Sequence, residues 1–326
     1  MKHSRIIGTG MYLPEQVLTN TDLQAFCDTT DEWIRQRTGI EARHKAAEGE
    51  GTSDLALPAA EMAIANAGLR TDDIDAVICC TVSPDQIFPA TANILHGKLG
   101  LKNVGSFDIN AACSGFMAGL MTSNALIASG VHETILLIGC EIQTNRMTWK
   151  NRDTAVLFGD GAGAVVLQAA ANGHGVLTTH LGSDGSSYEI LHLPRGGSAQ
   201  PYTVENFDED AYTIYMSGGE LFKRAVIKFV EVTQEALDAT GLTMDDIDVF
   251  IPHQANARII EAAGQRMGIA PEKVVMNIQK RGNTTAASIP IALHEAVEEG
   301  RIHEGDHVLL ASFGAGLTWG ASILKW

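Results

Sequence analysis

The sequence predicts an α/β protein made of two halves that are related by a pseudo-twofold axis. Its 326 residues exceed the length at which a single hydrophobic core usually stops growing. Apolar runs of strand length alternate with helix-like segments, and one segment of the first half recurs 173 residues later. We therefore expect a first half over residues 1–170 and a second half over residues 171–326.

The repeat is clearest where a helix-like segment ends at a glycine and the chain enters an apolar strand. Residues 68–78 and 241–251 agree at seven of eleven positions. The same offset places the apolar run 135–137 over 308–310, and each run follows a short polar stretch. Residues 182–219, rich in glycine, serine, proline and acidic side chains, lie outside this repeat and are predicted to form an insertion or loop region.

The charge and cysteine content exclude several classes of function. With 39 acidic against 23 basic residues, the net charge of −16 argues against a nucleic acid or an anionic membrane as the main partner. The amino terminus lacks the apolar stretch of a signal peptide and no run approaches the length of a membrane span, so we expect a cytoplasmic protein. Five cysteines without C-x-x-C spacing indicate neither a disulfide framework nor a thiolate zinc site, and no metal is expected.

Cys113 is placed differently from the other cysteines, of which Cys79, Cys80 and Cys140 lie in or directly after apolar runs. It follows a predicted strand at 105–110 and stands at the start of a helix at 116–129. That helix is apolar around much of its circumference and should be buried. The helix dipole and free backbone N–H groups favour a thiolate with a lowered pKa, whereas a small residue chosen for tight packing is the alternative interpretation.

His253 and Asn283 occupy related positions in the second half. His253 ends an apolar strand at 248–251, at the position that matches Cys80 in the first half. Asn283 lies between a predicted strand at 274–276 and a helix at about 289–299, opposite the Cys113 turn in the repeat. Taken singly, the histidine could be an ordinary hydrogen-bonded loop residue and the asparagine a capping residue.

Two glycine-rich turns, at 158–163 and 313–316, allow close approach of backbone to a substrate. Neither has the spacing of a phosphate-binding loop, which argues against a nucleotide-phosphate site there. The backbone N–H of Ala315 could complete an oxyanion hole with the N–H of Cys113.

Taken together, these features resemble the thiolase superfamily, and most closely the β-ketoacyl-acyl-carrier-protein synthase III family. The matching motifs cover essentially the whole chain and are found at 31–34 with 37–40, 110–116, 158–163, 252–256 and 318–320. The resemblance implies a five-layered αβαβα sandwich and a homodimer. It also implies a reaction that joins an acyl-CoA starter, which is a substrate and not a cofactor, to malonyl-acyl carrier protein.

The same resemblance assigns roles to individual residues. Cys113 would carry the acyl group, while His253 and Asn283 would stabilise the enolate formed from the malonyl thioester. Matches to CoA-binding positions are Trp33, Arg37 and Arg152; matches to the acyl pocket are Phe88, Phe158 and Met216, with Phe88 reaching into the pocket of the partner. The matches to carrier-protein docking positions are Lys223, Arg258 and Arg266. Ala315, Leu317 and Gly219 depart from the family pattern, which leaves the preferred starter open.

Several other interpretations compete with this one. A biosynthetic thiolase would need a second catalytic cysteine near the carboxyl end, but no cysteine follows Cys140. Papain-like hydrolases share the residue types, although their fold has no place for the repeat. A plant-type polyketide synthase would usually be longer. A starter-specific ketosynthase of a secondary-metabolite pathway and a non-catalytic subunit that binds acyl carrier protein stay open as alternatives.

Overall fold

The computed structural model describes residues 3–170, 173–208 and 213–326. The expected boundary after residue 170 therefore adjoins residues outside these ranges and stays a prediction, and residues 209–212 of the expected insertion also lie outside the described residues. Across the described ranges, no helix is both long enough and apolar enough to cross a membrane.

Strands and helices alternate through most of the chain. The strands are β1 (Ser4–Tyr12), β2 (Gln16–Thr19), β3 (Ala42–Lys45), β4 (Ala76–Cys80), β5 (Gly105–Ile109), β6 (Thr134–Glu141), β7 (Gly161–Ala169), β8 (Gly175–Ser183), β9 (Leu191–His192), β10 (Tyr215–Met216), β11 (Val249–Pro252), β12 (His307–Gly314) and β13 (Thr318–Lys325). The helices are α1 (Asn20–Leu23), α2 (Asp31–Thr38), α3 (Thr52–Asn66), α4 (Thr91–Lys98), α5 (Gly115–Ala128), α6 (Arg152–Ala155), α7 (Gly218–Thr240), α8 (Ala257–Met267), α9 (Ile278–Arg281) and α10 (Ser288–Glu298).

Two main sheets share one topology, except that the first has β5 as an additional edge strand. The first is β1-β7-β6-β4-β5 and the second is β8-β13-β12-β11. In the first sheet β4 pairs in parallel with both β5 and β6, and in the second β11 pairs in parallel with β12. The other pairs in both sheets are antiparallel. The insertion contributes the short β9–β10 hairpin.

The strand predicted at 274–276 forms only a bridge to β11, between Phe250 and Val274. Val275 N–H still donates to the Phe250 carbonyl at 2.8 Å. The next backbone amides, of Asn277 and Ile278, donate instead to Oε1 of Gln254. The side chain of Gln254 thus ends the strand by taking the N–H groups that a longer ladder would use.

Three of the apolar clusters among the described residues join the five layers. The central core contains α5 and α10 between the inner faces of both sheets. A second core packs α3 and α4 on the outer face of the first sheet, and a third packs α7 and α8 on the outer face of the second. Side chains of β4 alternate between two cores, with Ile78 facing inward and Val77 and Cys79 facing outward. The five-layered sandwich is therefore confirmed.

The repeat is visible in the structure at the level of single turns. The 3₁₀ turns Ala112–Ser114 and Thr285–Ala287 precede the two central helices at positions 173 residues apart. Each contains a residue in the left-handed region, Ala112 at φ 47° and Thr285 at φ 51°. Both turns pack at the seam between the sheets, which brings Cys113 and the Asn283 segment into one region.

Candidate active site

Cys113 lies in the turn that enters α5 and is only 7% exposed. Gly314, at the end of β12, packs directly against it. A Cβ atom built on Gly314 would lie 2.5 Å from Cβ and 2.8 Å from Sγ of Cys113. Only glycine therefore allows this approach, and the end of β12 forms one wall of the site.

The ionisation of the Cys113 thiol is set mainly by burial. Burial, and then the charge of Glu141, raise its pKa to about 12, while hydrogen bonds from the backbone N–H groups of Ala315 and Cys113 act in the opposite direction. The expected lowering of the pKa by the helix start is therefore wrong for this state, because desolvation of the thiolate outweighs it. The same two N–H groups nevertheless converge on the Cys113 sulfur.

His253 follows β11 and is held through its backbone, whose N–H donates to the Ala311 carbonyl at 2.8 Å. The ring is 1% exposed, and neither ring nitrogen has a hydrogen-bond partner among the described residues. Burial lowers the pKa of the imidazole to about 3. A neutral ring with two unpaired nitrogens in a cavity can donate one N–H to a ligand.

Asn283 is oriented by its own turn. Its Oδ1 accepts a hydrogen bond from the Thr285 N–H at 2.9 Å, which leaves the Nδ2 amide group available as a donor. Its backbone N–H donates to the Leu157 carbonyl at 2.8 Å, and its carbonyl accepts from Gly159 at 3.0 Å. The capping role and the donor role considered from the sequence are therefore compatible in one side chain.

Gln254, next to His253, was given no role from the sequence although it lies in the same motif. Its backbone N–H donates to Ser288 Oγ at 2.6 Å, and its side chain donates to the Pro252 and Val275 carbonyls. With the two bonds that Oε1 accepts, the buried amide is fully used. Its hydrogen bonds connect the His253 loop to α10 and to the segment that leads to Asn283, a contact that sequence spacing does not reveal.

Two cavities meet at Cys113. The larger, of about 670 Å³, is lined by these predicted site residues: Trp33, Arg37, Cys113, Phe158, Met216, Lys223, His253, Arg258 and Asn283. The smaller, of about 390 Å³, is lined by Cys113, Phe158 and Ala315 together with Tyr188, Leu191 and Leu193. Met216, expected in the acyl pocket, thus lines the larger cavity, whereas Phe158 borders both.

The three predicted CoA-binding residues lie close together, and two of them, Trp33 and Arg37, line the larger cavity. The guanidinium of Arg152 lies 4.8 Å from the centre of the Trp33 ring, and that of Arg37 lies 5.9 Å from it. Arg152 also donates to the Asp28 carbonyl at 3.1 Å. An aromatic face beside two cations suits a ligand that carries a flat base and phosphate groups.

The predicted docking residues are distributed along an exposed surface beside this cavity. Lys223 and Arg258 border the cavity, and the guanidinium of Arg258 lies 5.7 Å from the Phe222 ring centre. Arg266 lies in the last turn of α8, at the opposite end of that helix from Arg258. Phe88, the residue expected to reach a partner chain, is 83% exposed.

Comparison with known proteins identifies the family. Models of 3-oxoacyl-[acyl-carrier-protein] synthase III match residues 107–185, and models of its C-terminal region match residues 237–326. A β-ketoacyl-[acyl-carrier-protein] synthase III from Caldanaerobacter subterraneus is 47% identical over 98% of this chain and 97% of its own length. The chain belongs to the β-ketoacyl-[acyl-carrier-protein] synthase III family. It is an acyltransferase that performs the initiating condensation of fatty acid synthesis.

Solved structures of this family agree with the fold. The crystal structure of 3-oxoacyl-[acyl-carrier-protein] synthase III from Aquifex aeolicus matches with a TM-score of 0.93 and 44% identity, covering 99% of this chain and 100% of that one. The priming β-ketosynthase of a polyketide pathway matches with a TM-score of 0.92 and 31% identity, covering 99% and 96%. The expected family and reaction class are confirmed, and the resemblance extends beyond primary fatty acid synthesis.

Proposed function

We propose that Cys113 first takes the acyl group of an acyl-CoA starter. Its sulfur attacks the thioester carbonyl, the carbon–sulfur bond to CoA breaks, and the thiol proton ends on the released CoA sulfur. The backbone N–H groups of Cys113 and Ala315, which already converge on the sulfur, are placed to stabilise the oxyanion. Because the resting thiol is neutral, proton loss accompanies the attack and does not precede it.

The second half-reaction uses the two side-chain donors. The carboxylate of malonyl-acyl carrier protein leaves as CO2, and its electron pair forms an enolate whose oxygen accepts from His253 and from Nδ2 of Asn283. The enolate carbon then attacks acyl-Cys113. The bond to sulfur breaks, and the thiolate takes a proton from solvent, which restores the thiol.

One observation carries this proposal: Cys113, His253 and Asn283 line a single cavity, and the His253 ring and the Asn283 Nδ2 group have no hydrogen-bond partner among the described residues. Buried polar groups are normally hydrogen-bonded, so an unpaired imidazole and a free amide in a cavity indicate a ligand. The larger cavity is proposed to hold the pantetheine arm, with Trp33, Arg37 and Arg152 at the nucleotide end. The smaller cavity beyond Cys113 is proposed to hold the acyl chain.

Intact-mass measurement after mixing with acyl-CoAs tests the first half-reaction. We expect an acyl adduct on the wild-type chain that maps to Cys113 and is absent from Cys113→Ala.

The substitution Asn283→Asp tests the second half-reaction. It keeps the side-chain oxygen that accepts from the Thr285 N–H but loses the Nδ2 donor. This variant should fold, form the acyl adduct, and decarboxylate malonyl-acyl carrier protein about 100-fold more slowly. Decarboxylation at the wild-type rate would remove Asn283 from the proposal.

Carrier-protein docking is proposed on the basic surface formed by Lys223, Arg258 and Arg266. Acyl carrier proteins are acidic, so a local basic patch compensates for the overall charge of this chain. The charge reversal Arg258→Glu should raise KM for malonyl-acyl carrier protein about tenfold or more and leave KM for acyl-CoA nearly unchanged. Lys102→Glu, an exposed reversal in the other half, is the control. Equal effects on both substrates would contradict docking at this patch.

A homodimer and a cytoplasmic location are also proposed. The outermost strand of the first sheet, β5, has an exposed Phe107, and an unpaired strand edge with exposed apolar side chains favours pairing with a second copy. Ile87 and Phe88 add to the exposed apolar surface, at 87% and 83%. The five cysteines are free and buried, which suits a reducing compartment.

A second candidate, a starter ketosynthase in a specialised pathway, rests on the similarity to the polyketide priming enzyme, which at 31% identity is weaker than that to the fatty-acid enzymes. Of the three departures from the family pattern, Ala315 lines the smaller cavity and Gly219 lines the larger. Leu317 instead packs in the core between the second sheet and α7. Rates of acylation with straight and branched starters distinguish the two functions, because a strong preference for one unusual starter would favour the specialised role.

A further inference from the structure

A buried carboxylate behind the site, Glu141 at the end of β6, has no part in the steps proposed above. It is fully buried, and within the described residues it forms no salt bridge with a cation. Its carboxylate is instead surrounded by hydrogen-bond donors. These are the backbone N–H groups of Val82 and Ala286, the hydroxyls of Thr81 and Ser83, and the side-chain amide of Gln143.

The internal repeat explains where this carboxylate lies. At the offset of 173 residues, Cys113 corresponds to Ala286 and Ala315 corresponds to Ile142. The chain therefore contains two copies of the N–H pair that converges on the Cys113 sulfur. In the second copy, Ala286 N–H donates to Glu141, and Ile142 N–H donates to Ser83 Oγ at 2.9 Å. Ser83 Oγ in turn donates to Glu141.

The two copies thus differ in what they hold. The first faces the cavities and can receive a substrate oxygen, whereas the second is filled by an internal carboxylate. The position that matches Glu141 in the second half is Gly314, which leaves space for Cys113. The strand end that carries glycine therefore leaves its anion site open. At the equivalent strand end, the glutamate side chain occupies the anion site itself.

Glu141 contacts the turn that orients the Asn283 side chain. Ala286 belongs to the Thr285–Ala287 turn, and Thr285 N–H fixes the Asn283 amide. The strand and the turn touch directly, since a Cβ built on Gly139 would lie 2.3 Å from the Ala286 carbonyl oxygen. Glu141 also holds Val82 and Gln143, which line the smaller cavity.

We propose that Glu141 is a positioning residue whose carboxylate fills the second copy of the N–H pair and thereby holds the Asn283 turn in register with Cys113. This inference rests on the proposed roles of Cys113 and Asn283. A carboxylate is required because the backbone N–H groups of Val82 and Ala286 can only donate. A glutamine at this position would direct an NH₂ group against one of these donors.

The substitution Glu141→Gln tests the inference by separating the two half-reactions. Acylation of Cys113 by acyl-CoA, followed by intact mass, should not fall below the wild-type rate. The N–H groups of Cys113 and Ala315 are untouched, and loss of the Glu141 charge can only lower the pKa of the thiol. Decarboxylation of malonyl-acyl carrier protein should fall about tenfold or more as the Asn283 amide loses its position. If Glu141 only stabilised the fold, Glu141→Gln would lower both rates together.

Ser83→Ala is the second variant, because it keeps the charge but removes the hydroxyl between Ile142 and Glu141. It should show the same split between half-reactions with a smaller amplitude. Asp108→Asn is the matched control, since this carboxylate accepts from the Thr91 and Ala92 N–H groups at the start of α4, in an outer layer. The control should leave the ratio of the two rates unchanged.

Equal losses in both half-reactions, or unchanged decarboxylation, in Glu141→Gln would overturn the inference. If that variant does not fold, the split in Ser83→Ala decides in the same way. Failure of the proposed function has a different signature. In that case wild type would form no adduct at Cys113, or Asn283→Asp would decarboxylate malonyl-acyl carrier protein at the wild-type rate.

Discussion

At the scale of single residues, burial determines which forms of the side chains take part in the chemistry. It holds the Cys113 thiol and the His253 imidazole in their neutral forms, with pKa values of about 12 and about 3. Neutral histidine suits a hydrogen-bond donor to a developing enolate. A charged imidazolium would have to be desolvated before any substrate arrived.

The buried neutral His253 predicts an acid-dependent loss of stability. Its pKa falls from 6.5 in the unfolded chain to about 3 in the fold. Its contribution to stability is therefore fully present above pH 6.5 and is lost as the pH falls toward 3, at up to about 1.4 kcal/mol per pH unit. Urea unfolding between pH 7.5 and 4.5 should show this extra slope in wild type and not in His253→Asn. Parallel curves for the two proteins would contradict it.

At the scale of elements, the site is built from the ends of strands and the beginnings of the turns that follow them. The end of β12 can approach Cys113 because Gly314 has no side chain, and the equivalent end of β6 carries Glu141. The position of each side chain proposed to be catalytic thus depends on how two secondary-structure elements from different halves meet.

Gly314→Ala tests this packing. Its added methyl group would overlap Cβ and Sγ of Cys113, so the cysteine must shift. We expect acylation of Cys113 to slow about 100-fold, with a loss of about 1–3 kcal/mol in unfolding free energy. Stopped reactions followed by intact mass, together with urea unfolding, measure both quantities.

Gly97→Ala is the control for this substitution, because open space surrounds that glycine inside α4. It should acylate normally and gain up to about 1 kcal/mol of stability through helix propensity. Acylation at the wild-type rate in Gly314→Ala would contradict the prediction, because it would show that Cys113 can react although the end of β12 no longer packs against it in the same way.

At the scale of the whole molecule, the exposed apolar surface around Ile87 and Phe88 predicts self-association. Phe88→Asp places a charge in that surface and should convert a dimer to monomers in sedimentation velocity measurements at micromolar concentration. Val131→Asp changes an exposed apolar residue after α5 and should leave the dimer intact. A wild-type chain that sediments as a monomer, or a Phe88→Asp dimer as stable as wild type, would contradict the assignment.

The repeat explains how much of the fold could be predicted. Hydrophobic period and glycine-terminated helices are local properties, so helices, strands and the equivalence of the two halves follow from the sequence. The predicted strand at 274–276 was wrong because Gln254 captures the amides of Asn277 and Ile278 across more than twenty residues. Such a contact depends on the folded arrangement and has no local signal.

The sequence alone determined the α/β architecture and the family, and it predicts the Cys113, His253 and Asn283 set, because periodicity, repeat spacing and motifs are all encoded along the chain. Only the tertiary structure decided the protonation of Cys113 and His253, the direction of the Asn283 amide and the contacts of Glu141. These properties arise from desolvation and from hydrogen bonds between distant segments, such as that between Ser83 and Glu141, which are 58 residues apart. Burial and long-range partners exist only after the chain has folded.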